Sequence, residues 1–62
     1  MRAALHAGLH SNRRIGMAIG ILMALRQVGE EEAFDLLRRA SQTRNTKLRL
    51  IAEEVVRSGT FE

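Results

Sequence analysis

Five cations and no carboxylate occupy the stretch from Leu36 to Ala52: Arg38, Arg39, Arg44, Lys47 and Arg49. At its centre lies the polar run Ser41-Gln42-Thr43-Arg44-Asn45. The chain has seven acids, yet Glu30, Glu31, Glu32 and Asp35 precede this stretch and Glu53, Glu54 and Glu62 follow it. A segregated basic patch attracts polyanions, and neutralising phosphates with release of their counterions supplies affinity. The competing reading is a basic face that is merely solvated, and charge alone leaves the two nearly even.

Other chemistry is poorly supported. His6 and His10, four apart on one helical face, make at most half a metal site, and no Cys, Asp or Glu lies near them in sequence. The ligand count favours a solvated or seam-facing pair, so no metal is expected. Ser41 has no base in reach. The run Gly16-Met17-Ala18-Ile19-Gly20 falls inside a helical pattern and lacks a Lys-Ser/Thr ending, so it is not a phosphate loop. No catalytic constellation emerges, no cofactor is implied, and an enzyme is not expected.

The elements that must position the basic stretch are helices. The 62 residues form one domain, near the lower size limit for independent folding. Small scaffolds usually recruit disulfides, metals or a partner subunit. With no Cys, disulfides are excluded, and nothing supports a secreted, oxidising context. Net charge is +3 and the sequence pI about 11.1. No secretory signal is convincing, because Arg13-Arg14 interrupts the start before a long apolar core. The run Ile15 to Leu25 has eleven residues, against the roughly 20 that a membrane span needs. The chain reads as cytoplasmic, with no membrane partner. Two Phe, no Tyr, no Trp and no alternating run leave no case for a sheet.

The spacing predicts three helices. Helix 1, within residues 1–27, carries Leu5, Leu9, Asn12, Gly16, Ile19 and Met23 at a 4-3-4-3-4 spacing, a coiled-coil seam. A second stripe, Ile15, Ala18, Ile19, Leu22 and Leu25, faces elsewhere. One stripe must be buried within the domain and the other outside it, which predicts a homodimer. Gly16 and Gly20, unfavourable in a helix interior, suggest close backbone approach. Helix 2, residues 30–43, follows a Gly29 N-cap, with Glu30, Glu31 and Glu32 on the turn where the helix dipole favours acids. Ala33, Phe34, Leu37, Ala40 and Ser41 form its inward face. Helix 3, residues 46–58, takes Asn45 as N-cap and buries Leu48, Ile51, Ala52, Val55 and Val56. Gly59 fits a left-handed C-terminal cap, with Phe61 folding back over the helix end. Leu50 points opposite the stripe.

With both Phe placed on a core face or at the terminus, base stacking on an aromatic platform is weakly supported. Nucleic-acid binding rests instead on Arg and Lys to phosphate, Arg planes against bases, and amides of the 41–45 linker. A helix-turn-helix with helix 3 as reader competes. Against it, that helix presents Glu53 and Glu54 outward beside Arg49 and Leu50, and carboxylates suit a duplex badly.

Three segments then carry a resemblance. They are Ile15-Gly16-Met17-Ala18-Ile19-Gly20-Ile21-Leu22-Met23, Glu32-Ala33-Phe34 with Leu37-Arg38, and Ser41-Gln42 with Asn45, Lys47-Leu48-Arg49 and Ala52. In order and spacing, from about Leu9 to Val56, they resemble the ANTAR domain of the AmiR and NasR transcription antitermination regulators. The resemblance implies an all-α, three-helix domain with an extended, coiled-coil-forming first helix. It implies dimerisation through that helix and binding of paired RNA stem-loops in nascent mRNA, so that the terminator hairpin cannot form. Family members commonly join this module to a receiver or ligand-sensing domain, a further partner; whether this chain is a piece of a longer regulator or stands alone is left open. Two positions depart from the pattern: many members carry Lys in place of Ile19 and Asp in place of Leu50.

On this reading the RNA contacts are Arg13 and Arg14 on helix 1 and Ser41, Gln42, Arg44, Asn45, Lys47 and Arg49 around the second turn. Arg and Lys neutralise phosphates, while Asn45 and Gln42 hydrogen-bond exposed loop bases. The dimer interface is Leu5, Leu9, Asn12, Gly16, Ile19 and Met23. Ala18, Gly20, Leu22, Ala33, Leu37, Leu48 and Ala52 match the family pattern as packing residues. The alternative is a helical dimerisation or protein-interaction module without nucleic-acid affinity.

Overall fold

Three apolar patterns become three helices in the computed structural model, which describes residues 2–61 and side chains from Asn12 onward. They are α1 (Arg2–Arg26), α2 (Glu30–Arg44) and α3 (Leu48–Ser58). No strand occurs among the described residues, and the fold is all-α. Each helix packs against the other two. At 1.5 Å per residue, α1 is about 37 Å long, close to the longest dimension of 38 Å. The short helices α2 and α3 flank that rod.

Every helix contributes an i,i+4 pair to one core, Ala18 and Leu22, Ala33 and Leu37, Ile51 and Val55, and α3 adds Ala52. These seven residues are buried, and no polar or charged side chain is buried with them among the described residues. Alanines at the crossings let the helices approach, so Leu22, Leu37 and Ile51 can fill the space between. Full burial of each large side chain contributes about 1.5–3 kcal/mol. Ile15, Ile19, Ile21, Val28, Leu36, Ala40, Leu48, Val56 and Phe61 close the rim.

All three helices stop in the left-handed region. Gln27 (φ 57°) ends α1, with the Val28 amide donating to the Met23 carbonyl at 3.3 Å. Asn45 (φ 52°) ends α2 and Gly59 (φ 73°) ends α3. Gly29 is extended (φ −80°, ψ 178°) and its carbonyl accepts the first α2 bond, from Ala33, at 3.0 Å. Beyond Gly59, Phe61 returns to the core rim. There the Arg26 guanidinium lies 5.4 Å from the Phe61 ring centroid and donates to its carbonyl at 2.9 Å.

Several expectations need correction. Asn45 does not cap α3: the helix begins at Leu48 behind an extended Lys47, and Asn45 instead carries the left-handed turn that closes α2. Asn tolerates that region better than other non-glycine residues, so the same residue type served a different end. Phe34 is 40% exposed rather than inward. Ala33 and Leu37 set the buried axis of α2, and at about 100° per residue Phe34 falls well off it. Leu25, expected in the buried stripe, is 47% exposed in the last turn of α1.

The seam on α1 divides. Asn12, Gly16 and Met23 are exposed, whereas Ile19 is half-buried against the domain's own core. Leu5 and Leu9, like His6 and His10, have side chains outside the described residues. The close backbone approach expected at Gly16 and Gly20 is not made among the described residues, where a Cβ at either would meet nothing within 4 Å.

Candidate nucleic-acid interface

The basic stretch folds around the turn between α2 and α3, and that turn is tied by backbone. Thr46 N–H donates to the Ser41 carbonyl at 3.0 Å and Asn45 N–H to the Gln42 carbonyl at 3.3 Å, the paired bonds of a Schellman cap. The Ser41 hydroxyl, half-buried, donates to the Thr46 carbonyl, and Thr46 Oγ1 donates to the Arg44 carbonyl at 3.1 Å. Leu50 and Ile51 amides then bond the Lys47 carbonyl at 2.9 and 3.2 Å, starting α3. Six consecutive residues are thereby held in one geometry by short-range bonds.

What the turn presents differs from the sequence expectation. Ser41 also ties the turn, its hydroxyl donating to the Thr46 carbonyl while the oxygen keeps its capacity to accept. Gln42, Asn45, Lys47 and Arg49 are exposed, and none has a side-chain hydrogen bond or ion pair among the described residues. Asn45 therefore does its conformational work through its backbone, and its amide stays available.

The cations are less free than their acid-free surroundings in sequence implied. Arg38 and Arg39 both bind Asp35, the latter through Nη2 at 2.6 Å and Nε at 2.7 Å to Oδ2. Hydrogen bonds from Arg38, then Arg39, hold the Asp35 carboxyl below its ordinary value of 3.8. Arg44 pairs with Glu54 at 3.1 Å across the turn. Three of five guanidinium or ammonium groups thus have carboxylate partners, leaving Lys47 and Arg49 unpaired among the described residues. The Asp35 pairs follow i,i+3 and i,i+4 spacing and were legible beforehand. The Arg44–Glu54 pair spans ten residues and needed the fold.

The helix-1 arginines do not join the turn as one cluster. Arg13 is exposed, while Arg14 is half-buried and lines a groove between α1 and α3 with Glu53, Val56 and Arg57. Arg57 was overlooked in the sequence because it lies beyond the acid-free run. A second depression, of about 420 Å³, is bounded by Arg44, Glu54, Ser58, Thr60 and Phe61 over Ile51 and Val55. No group of three or more His, Cys, Asp or Glu suited to a metal occurs among the described residues. No helix among them is long and apolar enough to cross a membrane.

No curated protein and no solved structure gives a significant match. The family model described as the ANTAR domain matches residues 3–56, spanning all of α2, nearly all of α1, and α3 as far as Val56. That match covers most of the 62 residues, and the chain belongs to the ANTAR domain family.

Proposed function

We propose that this chain is the RNA-binding element of a transcription antitermination regulator. It engages paired stem-loops in nascent mRNA, in the cytoplasm, and so keeps the terminator hairpin from forming. Family membership supports the class of function. One observation carries it for this chain: exposed Gln42, Asn45, Lys47 and Arg49, without side-chain partners among the described residues, stand on a turn fixed by its own backbone. Cations beside amide donors suit a looped RNA, where phosphates supply affinity and unstacked bases offer hydrogen-bonding edges. A preordered turn also lowers the entropy lost on binding.

Two stem-loops call for two such turns, which a homodimer supplies. The exposed α1 face containing Gly16, Met17, Gly20, Met23 and Ala24 supports that assembly. With open space above both glycines, a second helix can come close there. The other reading, an interaction module with no nucleic-acid affinity, draws on exposed Phe34 and Leu50, at 40% and 45%. A mobility shift with a two-stem-loop RNA against a scrambled RNA of equal length separates them: retardation of the first alone supports RNA recognition. Retardation of neither favours the interaction module.

A further inference from the structure

The groove between α1 and α3 holds a second concentration of positive charge, away from the turn. Its walls are Arg14, Glu53, Val56 and Arg57, enclosing about 400 Å³. Two arginines and one glutamate line it, and neither arginine forms an ion pair with a described acid. Glu53 precedes Arg57 by four residues on α3, the favourable helical order, yet the two do not pair. Arg14 is held by partial burial, so less side-chain freedom is lost when its fork meets an anion.

The placement along α3 gives the groove a direction. Arg49, Glu53 and Arg57 recur at i, i+4 and i+8, on one face of the helix. Arg49 stands beside the turn; Arg57 stands about 12 Å further along the axis at 1.5 Å per residue. Arg14 reaches the same end from α1. Cations therefore mark both ends of an exposed face whose middle is acidic.

We propose that Arg14 and Arg57 clamp a backbone phosphate of the RNA stem while the turn at Gln42–Arg49 holds the loop of the same hairpin. This rests on the RNA-binding reading above and extends it from loop to stem. The clamp reads no sequence: guanidinium forks take phosphate oxygens bidentately, and a helical stem is recognised by shape and backbone. Glu53, between the two cationic ends, opposes the clamp and weakens it.

The test compares two hairpin-pair RNAs with identical loops, one with full stems and one with stems cut too short to reach the groove. Arg57→Ala, at an exposed position, should bind the long-stem RNA about tenfold more weakly, the scale of a lost charged hydrogen bond. Its salt slope should fall by about 0.9 for the lost phosphate. On the short-stem RNA it should match wild type. Glu53→Gln should tighten long-stem binding and leave short-stem binding unchanged. Arg14→Ala, checked for folding by circular dichroism, should repeat the Arg57→Ala pattern. Wild-type affinity of Arg57→Ala for both RNAs overturns the clamp while leaving the turn's role intact. Equal weakening on both RNAs overturns it too, because the loss then does not come from the stem. Wild-type protein that binds neither RNA overturns the RNA-binding reading itself.

Discussion

Arg44 Nη2 lies 3.1 Å from Glu54 Oε1, tying the last residue of α2 to the middle of α3 across the turn. Both side chains are about half exposed, 51% and 46%, so water screens the pair. Exposed pairs contribute about 0–1 kcal/mol. Its main consequence is for recognition, since a paired guanidinium is a weaker phosphate ligand. Glu54→Gln keeps the shape and removes the charge. Its melting temperature should change little, while stem-loop affinity rises severalfold and the salt slope steepens as Arg44 is released. Unchanged affinity would mean that Arg44 does not face the RNA.

Asn45 separates conformation from contact. Ala at its left-handed φ of 52° should cost about 1–2 kcal/mol. Gly accepts that conformation freely, so Asn45→Gly should melt like wild type while losing the amide. Asn45→Asp tolerates the turn and adds a negative charge. Reading of an RNA base by Asn45 predicts Gly and Asp variants that fold normally and bind poorly. Normal RNA binding by a well-folded Asn45→Gly protein assigns the residue to the turn alone.

The Asp35 carboxyl gives the fold an acid-side sensitivity of known sign. Its affinity for a proton is lower when folded than unfolded, because Arg38 and then Arg39 donate to it. The resulting stability is present above the ordinary carboxyl value of 3.8 and is lost as pH falls below it. Melting curves of wild type and Asp35→Asn should therefore differ at neutral pH and converge below about pH 3.8. A difference that persists undiminished at lower pH contradicts this role for Asp35.

Gly16 and Gly20 test the assembly without harming the domain. Among the described residues nothing lies within 4 Å of a Cβ built at either, so Ala there should stabilise the monomer by about 0.5–1 kcal/mol per site through helix propensity. Leu at either position should keep helicity and prevent a second α1 from approaching. Sedimentation equilibrium should give twice the 7.0 kDa chain mass for wild type and the monomer mass for Gly20→Leu. A wild-type monomer with full helicity would contradict dimerisation through this face.

Periodicity made the three-helix architecture readable because each helix buries an i,i+4 pair, and Ala18, Leu22, Ala33, Leu37, Ile51, Ala52 and Val55 all stood in the expected stripes. Phe34 and Leu25 misled because hydrophobicity does not tell which part of a helix its neighbours reach. Asn45 misled because N-caps and left-handed C-caps both select Asn, and only backbone dihedrals distinguish them. The turn's charges were legible as a list but not as a field. Arg44–Glu54 closes over ten residues of sequence, and Arg14 comes to line one groove with Arg57 only when α1 lies against α3. Local spacing holds no trace of either arrangement.

The central claim is that the turn between α2 and α3 recognises structured RNA. Its most direct measurement is the affinity of wild type and of a Lys47→Ala, Arg49→Ala double variant for a paired stem-loop RNA across a range of salt. Wild type should bind with log affinity falling linearly in log salt and should discriminate against a scrambled RNA. The double variant should stay folded, bind more weakly, and lose about 0.7–0.9 of slope per phosphate contact removed. Identical affinities and slopes for the two proteins, or equal wild-type affinity for paired and scrambled RNA, would contradict the account.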